Sequence, residues 1–416
     1  MHPLVTRRDT CRLCGSSSLL YLFSLGRQYP STFLELGEKP TIDPVPIELL
    51  LCSDCSLVQQ RYTTPQDIIY SRHYWYRSGT NEMMKVALRD ITKAIENRID
   101  LEVGDIVLDI GSNDGTLLKS YKTEAITVGI EPAKNLAKEG KEKINCLIED
   151  FWDYREFDKL MQGKKAKAIT AIGMFYDLED PNKFVLDVAQ ALDPDGLFVA
   201  QLMCAQNMLN LYDVGNLAHE HLEFYTFRSL EYLYKRNGLE IIDIETNSVN
   251  GESYRIWAAH KKANTLIPME AKKRIEHIQQ LEEGIETVKP WTQFYHQIET
   301  GKQRTIEFIK EQVYKNRKRI VVYGASTKGN VILQYYLDNE NNNLIEYASD
   351  RSPEKWGKVM VGTSIKIRSE ESARNYNPDY FLVLPYAFLT SFMEREKEWR
   401  GKGGKFIVPL PEFQIV

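Results

Sequence analysis

Four of the six cysteines fall in two pairs, Cys11 with Cys14 and Cys52 with Cys55. Each C-x-x-C sets two thiolates on one tight turn, and two such turns supply the four sulfurs that Zn2+ takes in a tetrahedral site. With sulfur in every position, no place is left for water or substrate, so a zinc held by Cys11, Cys14, Cys52 and Cys55 is structural. The long loop between the pairs is tolerated because closure cost grows only logarithmically with length. Two unrelated buried cysteine turns are the alternative. Neither pair opens a helix after a strand, which disfavours a thioredoxin-like redox motif. Cys146 and Cys204 fall on expected strands and read as core thiols.

A second group lies in VLDIGSNDGTLL, residues 107–118, where Asp109, Gly111, Asn113, Asp114 and Gly115 occupy a strand-to-helix turn. Glycines there let the backbone approach a ligand closely, as in nucleotide-binding turns. About twenty residues after Gly111 the next strand ends in GIEP, which puts Glu131 where a carboxylate binds both hydroxyls of a ribose. After the third strand, Asp150 and Phe151 are suited to hold an adenine by hydrogen bonding and stacking. A purely structural α/β turn with chance matches is the rival reading. A third group, His219, Glu220 and His221 in AHEHLEFYT, follows the fifth strand. Imidazole titrates near neutral pH unaided, so a histidine beside such a crevice is a natural general base. A polar loop with surface histidines, or an H-x-H metal site short of further ligands, are the alternatives. A fourth group, Gly324, Ser326, Lys328, Gly329 and Asn330, forms another strand–turn–helix, where helix-start N–H groups and an ammonium suit a diphosphate. Asp350 and Arg351 end the next strand, at a position for nucleoside recognition, and Tyr386 follows the third. A structural turn is the alternative here too.

These groups need a scaffold that gathers strand ends along one edge. Between about 85 and 260, apolar strands alternate with amphipathic stretches, the pattern of a parallel sheet covered by helices. Strands are expected at 105–110, 125–130, 145–148, 167–172 and 196–202, with two more near 240–246 and 253–259 as an antiparallel edge. Met269, Ile275, Ile278, Leu281, Ile285 and Val288 recur at helical spacing, and Pro290 separates them from Ile298, Ile306, Ile309 and Val313. Two bridging helices are expected there. From 319 the pattern restarts as a smaller α/β unit, whereas residues 1 to about 75 are turn-rich and lack a core of their own.

The chain has 416 residues, enough for two or three domains, with 53 Lys plus Arg against 58 Asp plus Glu and a net charge of −5. No basic excess advertises nucleic acid or an anionic membrane. No apolar run of about 18 residues is available to span a bilayer, and Arg7, Arg8, Asp9 and Arg12 stand where a signal peptide needs an apolar core. The expectation is a soluble, cytoplasmic protein whose cysteines are reduced.

The D-x-G-x-N-D-G turn with its acidic-aromatic third loop resembles class I S-adenosylmethionine methyltransferases. Phe175, in GMFYDLEDP, matches the place where such enzymes position the methionine end of the cofactor. CRLCG with LCSDC, YWYRSGTN, VLDIGSNDGTLL, HEHLEFY, NGESYRIW, YGASTKGN and PDYFLVLP with GGKFIVPLP occur in the order seen in nucleotide-sugar C-methyltransferases. The chain resembles that family over nearly its whole length. The resemblance implies an α/β protein in which a class I Rossmann-like methyltransferase domain (76–262) is flanked by a zinc-binding segment (1–75). A helical linker (263–318) and a smaller Rossmann-like α/β domain (319–416) follow. It further implies a nucleotide-diphosphate sugar as substrate, held by the terminal parts, since the best described members methylate C-3 of a dTDP-4-keto-deoxyhexose.

On that resemblance His221 is the base that removes a proton beside the ketone, and Glu220 orients it or binds sugar. Tyr76 donates a hydrogen bond to the enolate oxygen. Asp177 and His219 are expected to face the substrate. Ser326, Lys328, Asn330 and Arg351 are expected to hold its nucleotide diphosphate. Two positions depart from the family's pattern: Ala218 replaces a tyrosine three residues before the base, and Asp177 replaces a histidine. These changes point to a different sugar, a different methylated position, or transfer to oxygen. An O-methyltransferase on the same substrate class is therefore the nearest rival. A nicotinamide-dependent oxidoreductase and a non-catalytic zinc-ribbon interaction protein are the more distant ones.

Overall fold

The computed structural model describes residues 4–70, 73–247, 249, 252–261, 267–337 and 343–416. The boundary expected at residues 262–263 lies outside them. In the N-terminal segment, β1 (Leu19–Gln28), β2 (Val45–Cys52) and β3 (Val58–Gln60) pair antiparallel, and the short strand Glu223–Phe224 joins the β3 edge from far along the chain. The sequence of β2, VPIELLLC, is a nearly unbroken apolar run because both its faces are buried.

The middle of the chain forms a seven-stranded sheet. Its elements are α1 (Glu82–Glu96), β4 (Ile106–Ile110), β5 (Ile126–Ile130), α2 (Lys134–Gly140), β6 (Cys146–Ile148), α3 (Tyr154–Met161) and β7 (Ala166–Ile172). After them come α4 (Pro181–Ala191), β8 (Leu192–Met203), α5 (Phe227–Arg236), β9 (Leu239–Asn247) and β10 (Ser253–His260). The strand order is β9-β10-β8-β7-β4-β5-β6. β8, β7, β4, β5 and β6 run parallel, while β10 is antiparallel to both β8 and β9. This is the class I methyltransferase arrangement, with the last strand slotted between its predecessors instead of lying outermost. The order reverses beside β4, so the loops after β4, β5 and β7 open on one crevice, as the switch point of a doubly wound sheet requires. Cys204 lies one residue past β8, as N-cap of a short helix, and is buried as expected of a core thiol; Cys146, on β6, is half-buried.

Two helices follow, α6 (Met269–Leu281) and α7 (Val288–Lys310). Pro290 sits in the first turn of α7, where a missing N–H costs nothing, so it marks a start and leaves the helix interior intact. The C-terminal unit contains β11 (Ile320–Tyr323), α8 (Thr327–Tyr336), β12 (Tyr347–Asp350), β13 (Val359–Met360), β14 (Lys366–Ser369), β15 (Tyr380–Val383), β16 (Lys405–Val408) and β17 (Gln414–Ile415). Its sheet order is β17-β16-β15-β11-β12-β14-β13, and residues Phe33–Leu34 of the N-terminal segment add an eighth strand.

Ile47, Leu49 and Leu51 of β2 share one apolar cluster with Trp291, Phe294 and Ile298 of α7 and Ile332 of α8. The N-terminal segment thus borrows its core from the rest of the chain and ties the two α/β units together. Among the described residues no helix is long and apolar enough to cross a membrane.

Candidate active site

Both cysteine turns converge. The sulfurs of Cys11 and Cys55 lie 3.5 Å apart, as do those of Cys14 and Cys52, and all four fall within 4.8 Å of one another. A tetrahedron with Zn–S bonds of about 2.3 Å has edges of about 3.8 Å, so the cluster fits the ion. The turn is docked on the middle domain: Asn182 of α4 donates to the carbonyls of Arg12 and Leu13. The fully buried Arg12 guanidinium reaches Glu179 at 3.4 Å and Glu223 at 3.6 Å.

A cavity of about 580 Å³ lies at the strand ends, walled by Tyr70, Tyr74, Tyr76 and Ser78, the loops after β4, β5 and β7, the 213–221 loop and the C-terminal unit. At its cofactor end, Gly111 adopts φ +73°, and an added Cβ would come within 3.0 Å of Met174. The two oxygens of Glu131 accept the backbone N–H groups of Asn113 (2.9 Å) and Ala133 (2.8 Å), which locks the two loops together. Burial raises the Glu131 carboxyl and these two donors oppose it. Burial also pushes Asp109 up to about 7, against the hydroxyl of Thr170, which donates at 2.6 Å. The aromatic segment is strapped over this turn. Ser78 and Gly79 donate backbone N–H groups to Asn113 and Asp114, and the Asn113 amide donates to the Tyr76 carbonyl. Gly79 suits this close approach, because a Cβ would lie 2.4 Å from Asp114 Oδ2 and displace that side chain. Phe151, Trp152 and the buried Ser112 hydroxyl, which has no partner among the described residues, complete walls that suit an adenosyl group: acid for ribose, aromatics for base, a polar atom for a ligand.

Past that end the wall turns acidic and basic. His221 is buried; its Nδ1 lies 2.7 Å from the Asn216 carbonyl, and its ring meets Tyr176 edge-on at 4.6 Å. Burial and the Lys328 cation bring its pKa down to about 3. Gln60 of β3 donates to the carbonyls of Ala218 (2.5 Å) and His221 (2.9 Å), so the N-terminal sheet fixes this loop. Glu220 is pushed up to about 7 by burial, with the Tyr74 hydroxyl and Lys328 opposing. Asp177 is held well above the carboxylate range by burial and by Glu220, and its Oδ1 has no partner among the described residues.

Comparison with known proteins is consistent along the chain. Residues 11–70 match a zinc binding domain, 81–244 a methyltransferase domain, and 248–411 the C-methyltransferase C-terminal domain. The chain is an S-adenosylmethionine-dependent C-methyltransferase. This C-methyltransferase is 27% identical over 422 residues to C-methyltransferase NovU of Streptomyces niveus, covering 100% of this chain and 99% of that one. Solved structures similar to part of it include magnesium protoporphyrin IX methyltransferase of Synechocystis PCC 6803 (13% identity, 44% of this chain and 89% of that one, TM-score 0.34). Another is a methyltransferase of Clostridium acetobutylicum (15% identity, 44% and 93%, TM-score 0.33).

In the methyltransferase, Tyr76, Asp109, Gly111, Asn113, Glu131, Phe151, Asp177, Glu220, His221, Ser326 and Lys328 line the cavity. Other expected site residues lie elsewhere. Phe175 is a core side chain packed among Phe184, Phe198, Tyr225 and Tyr234; its neighbours Met174 and Tyr176 face the cavity instead. Gly115 packs against Ile144 and Gly140. Asp150 is exposed and accepts from the backbone N–H of Phe151. His219 is buried with Nε2 3.0 Å from the Val45 carbonyl, a structural tie to β2. Asn330 is buried in α8 and Arg351 is exposed, both away from the cavity. The Asn216 carbonyl, not Glu220, holds the His221 ring. Tyr70, Tyr74 and Asp213 also line the cavity; the aromatic run 74–76 signals Tyr74, while Tyr70 and Asp213 carry no such local signal.

Proposed function

We propose that this enzyme methylates a carbon beside the ketone of a nucleotide-linked keto-deoxysugar, with His221 as the base. The observation that carries the reading is the position of His221: Nδ1 is committed to the Asn216 carbonyl, which leaves Nε2 as the proton acceptor in the cavity that Glu131 also lines. An imidazole held neutral by burial keeps its Nε2 lone pair unprotonated throughout the physiological range. Bound S-adenosylmethionine supplies an electrophilic methyl; Asp109, Gly111, Asn113, Glu131 and Phe151 are the residues to hold it. Tyr76, strapped across the glycine turn, lines the same cavity and is a further hydrogen-bond donor for the enolate oxygen. Beyond it, Tyr386, Pro385 and Phe388 of the C-terminal unit extend the wall, in keeping with a substrate that carries a nucleotide. NovU is named as a C-methyltransferase, and full-length similarity to it supports the same class of transfer.

The test is incubation with S-adenosylmethionine carrying a labelled methyl and a set of dTDP- and UDP-linked 4-keto-6-deoxyhexoses. Label in a sugar nucleotide, lost on His221→Asn, supports the reading; label in none of them, with S-adenosylhomocysteine bound normally, overturns it.

A further inference from the structure

Lys328 stands at the start of α8, in a turn whose composition suits a diphosphate, yet its surroundings do not. The backbone N–H groups of Gly324 and Ala325 donate to the Ser349 carbonyl, and that of Ser326 to Gly324. The N–H of Gly329 is taken by the Ser326 side chain. Most of the donors that would cradle phosphate oxygens are therefore already used. The ammonium is instead delivered toward the other end of the cavity. Helix α8 packs on residues Val214–Asn216, the segment whose Asn216 carbonyl holds His221. Gly215 makes that approach possible, since a Cβ on it would lie 3.3 Å from Lys328 Cβ. Lys328 Nζ comes to 3.4 Å from Met203 Sδ at the end of β8. No carboxylate among the described residues pairs with it within 4.0 Å, although its charge is felt by Asp213, Glu220 and His221. An amine without an ion-pair partner among the described residues thus lines the same cavity as the base, burial drawing its pKa down and Asp213 and Glu220 holding it up.

We propose that Lys328 is a catalytic residue that hydrogen-bonds the substrate's ketone oxygen and stabilises the enolate as it forms. The inference rests on the enolate reading above. In the step, His221 Nε2 takes the proton from the carbon next to the ketone, and the C–H electron pair becomes the enolate, whose oxygen faces Lys328. The enolate carbon then takes the methyl, the pair of the broken S–CH3 bond stays on sulfur, and the ketone re-forms. The charges balance locally: the cation that weakens His221 as a base in the free enzyme is matched by the negative charge that base creates. A donor aimed at charge present only in the transition state raises turnover, whereas a donor to a diphosphate raises affinity.

The experiment is solvent-deuterium exchange at the carbons flanking the ketone of dTDP-4-keto-6-deoxyglucose, with S-adenosylhomocysteine in place of the methyl donor. It is run on the wild type, Lys328→Met and Lys328→Arg, with folding checked by thermal melting and homocysteine-nucleoside binding. Lys328→Met is expected to slow exchange at saturating sugar by about 10²- to 10³-fold, the usual loss for one oxyanion donor, with KM little changed. Lys328→Arg, which keeps the charge, is expected to fall between the two. Exchange at saturation equal to wild type in both variants, with KM raised, would overturn the assignment in favour of a diphosphate contact. A wild type that exchanges no proton on this sugar and methylates no keto sugar of the panel overturns the enolate reading itself, and this inference with it.

Discussion

Nδ1 of His221 lies 2.7 Å from the carbonyl oxygen of Asn216. A carbonyl only accepts, so Nδ1 carries the hydrogen and the neutral ring presents Nε2 as its lone pair. One backbone contact thereby selects the tautomer a base needs. Replacing His221 with Asn is expected to lower turnover by about 10²- to 10⁴-fold. Binding of S-adenosylhomocysteine, measured by calorimetry, should stay within the wild-type range, because the adenosyl walls do not include this side chain.

The acid limb of activity should belong to Glu220. His221, lowered to about 3, is neutral over the whole working range, whereas Glu220, raised to about 7, changes state within it. Glu220 faces Tyr74, Asp177, Tyr70, Tyr176 and Lys328. Its ionised form favours the charged state of Lys328. kcat/KM is therefore expected to rise with pH through about 7, and Glu220→Gln should flatten that limb and lower the plateau. A limb unchanged in Glu220→Gln would assign it elsewhere.

Asp177 is expected to behave as a neutral acid. Burial and the neighbouring Glu220 push its carboxyl well above the usual carboxylate range, which favours the protonated form, so Asp177→Asn, an uncharged group of the same shape, tests whether that form is the working one. The pH profile of kcat/KM should keep its limb at the wild-type position, with turnover lowered only a few-fold. A large displacement of the limb would show that Asp177 is ionised in the free enzyme.

The zinc turns should be coupled to the site. Arg12 follows Cys11 directly, and its side chain joins Glu179, Glu223 and the Gln60 carbonyl in a buried network. Removing one partner of a buried ion pair costs about 3–5 kcal/mol. Arg12→Ala should accordingly lower the melting temperature, as should Cys52→Ser. Elemental analysis should find zinc retained in Arg12→Ala and lost in Cys52→Ser.

Gly79→Ala tests the strap. Its Cβ would collide with Asp114 Oδ2 at 2.4 Å, and overpacking of this kind costs about 1–3 kcal/mol. The segment that carries Tyr76 should lift from the glycine turn. KM for S-adenosylmethionine is then expected to rise roughly five- to a hundredfold, taking 1.4 kcal/mol per tenfold, while zinc content is unchanged.

The parts of this molecule that were legible in the sequence are those written in local pattern. β4 to β8 announced themselves as apolar runs, and the cysteine pairs as a metal site. The glycine turn with Glu131 was readable from spacing. Residues placed by long-range packing were not. Phe175 sits in a motif beside the cavity, but the turn that follows β7 directs it into the core and leaves Met174 and Tyr176 outside. His219 and His221 are two residues apart, yet β2 captures one and the cavity the other. The glycine-rich turn makes Lys328 read as a phosphate ligand; only the packing of α8 on Gly215 reveals that it lines the same cavity as His221. The borrowed strands Phe33–Leu34 and Glu223–Phe224 are too short to carry any periodic signal, and their pairing is decided by tertiary contact.

The most direct test of the central claim is the product formed from S-adenosylmethionine with a 13C-labelled methyl group and dTDP-4-keto-6-deoxyglucose, read by NMR. The account predicts a methyl carbon bonded directly to the ring carbon beside the ketone, that carbon having lost its hydrogen. A labelled methyl bonded to oxygen, with every ring C–H retained, would contradict it.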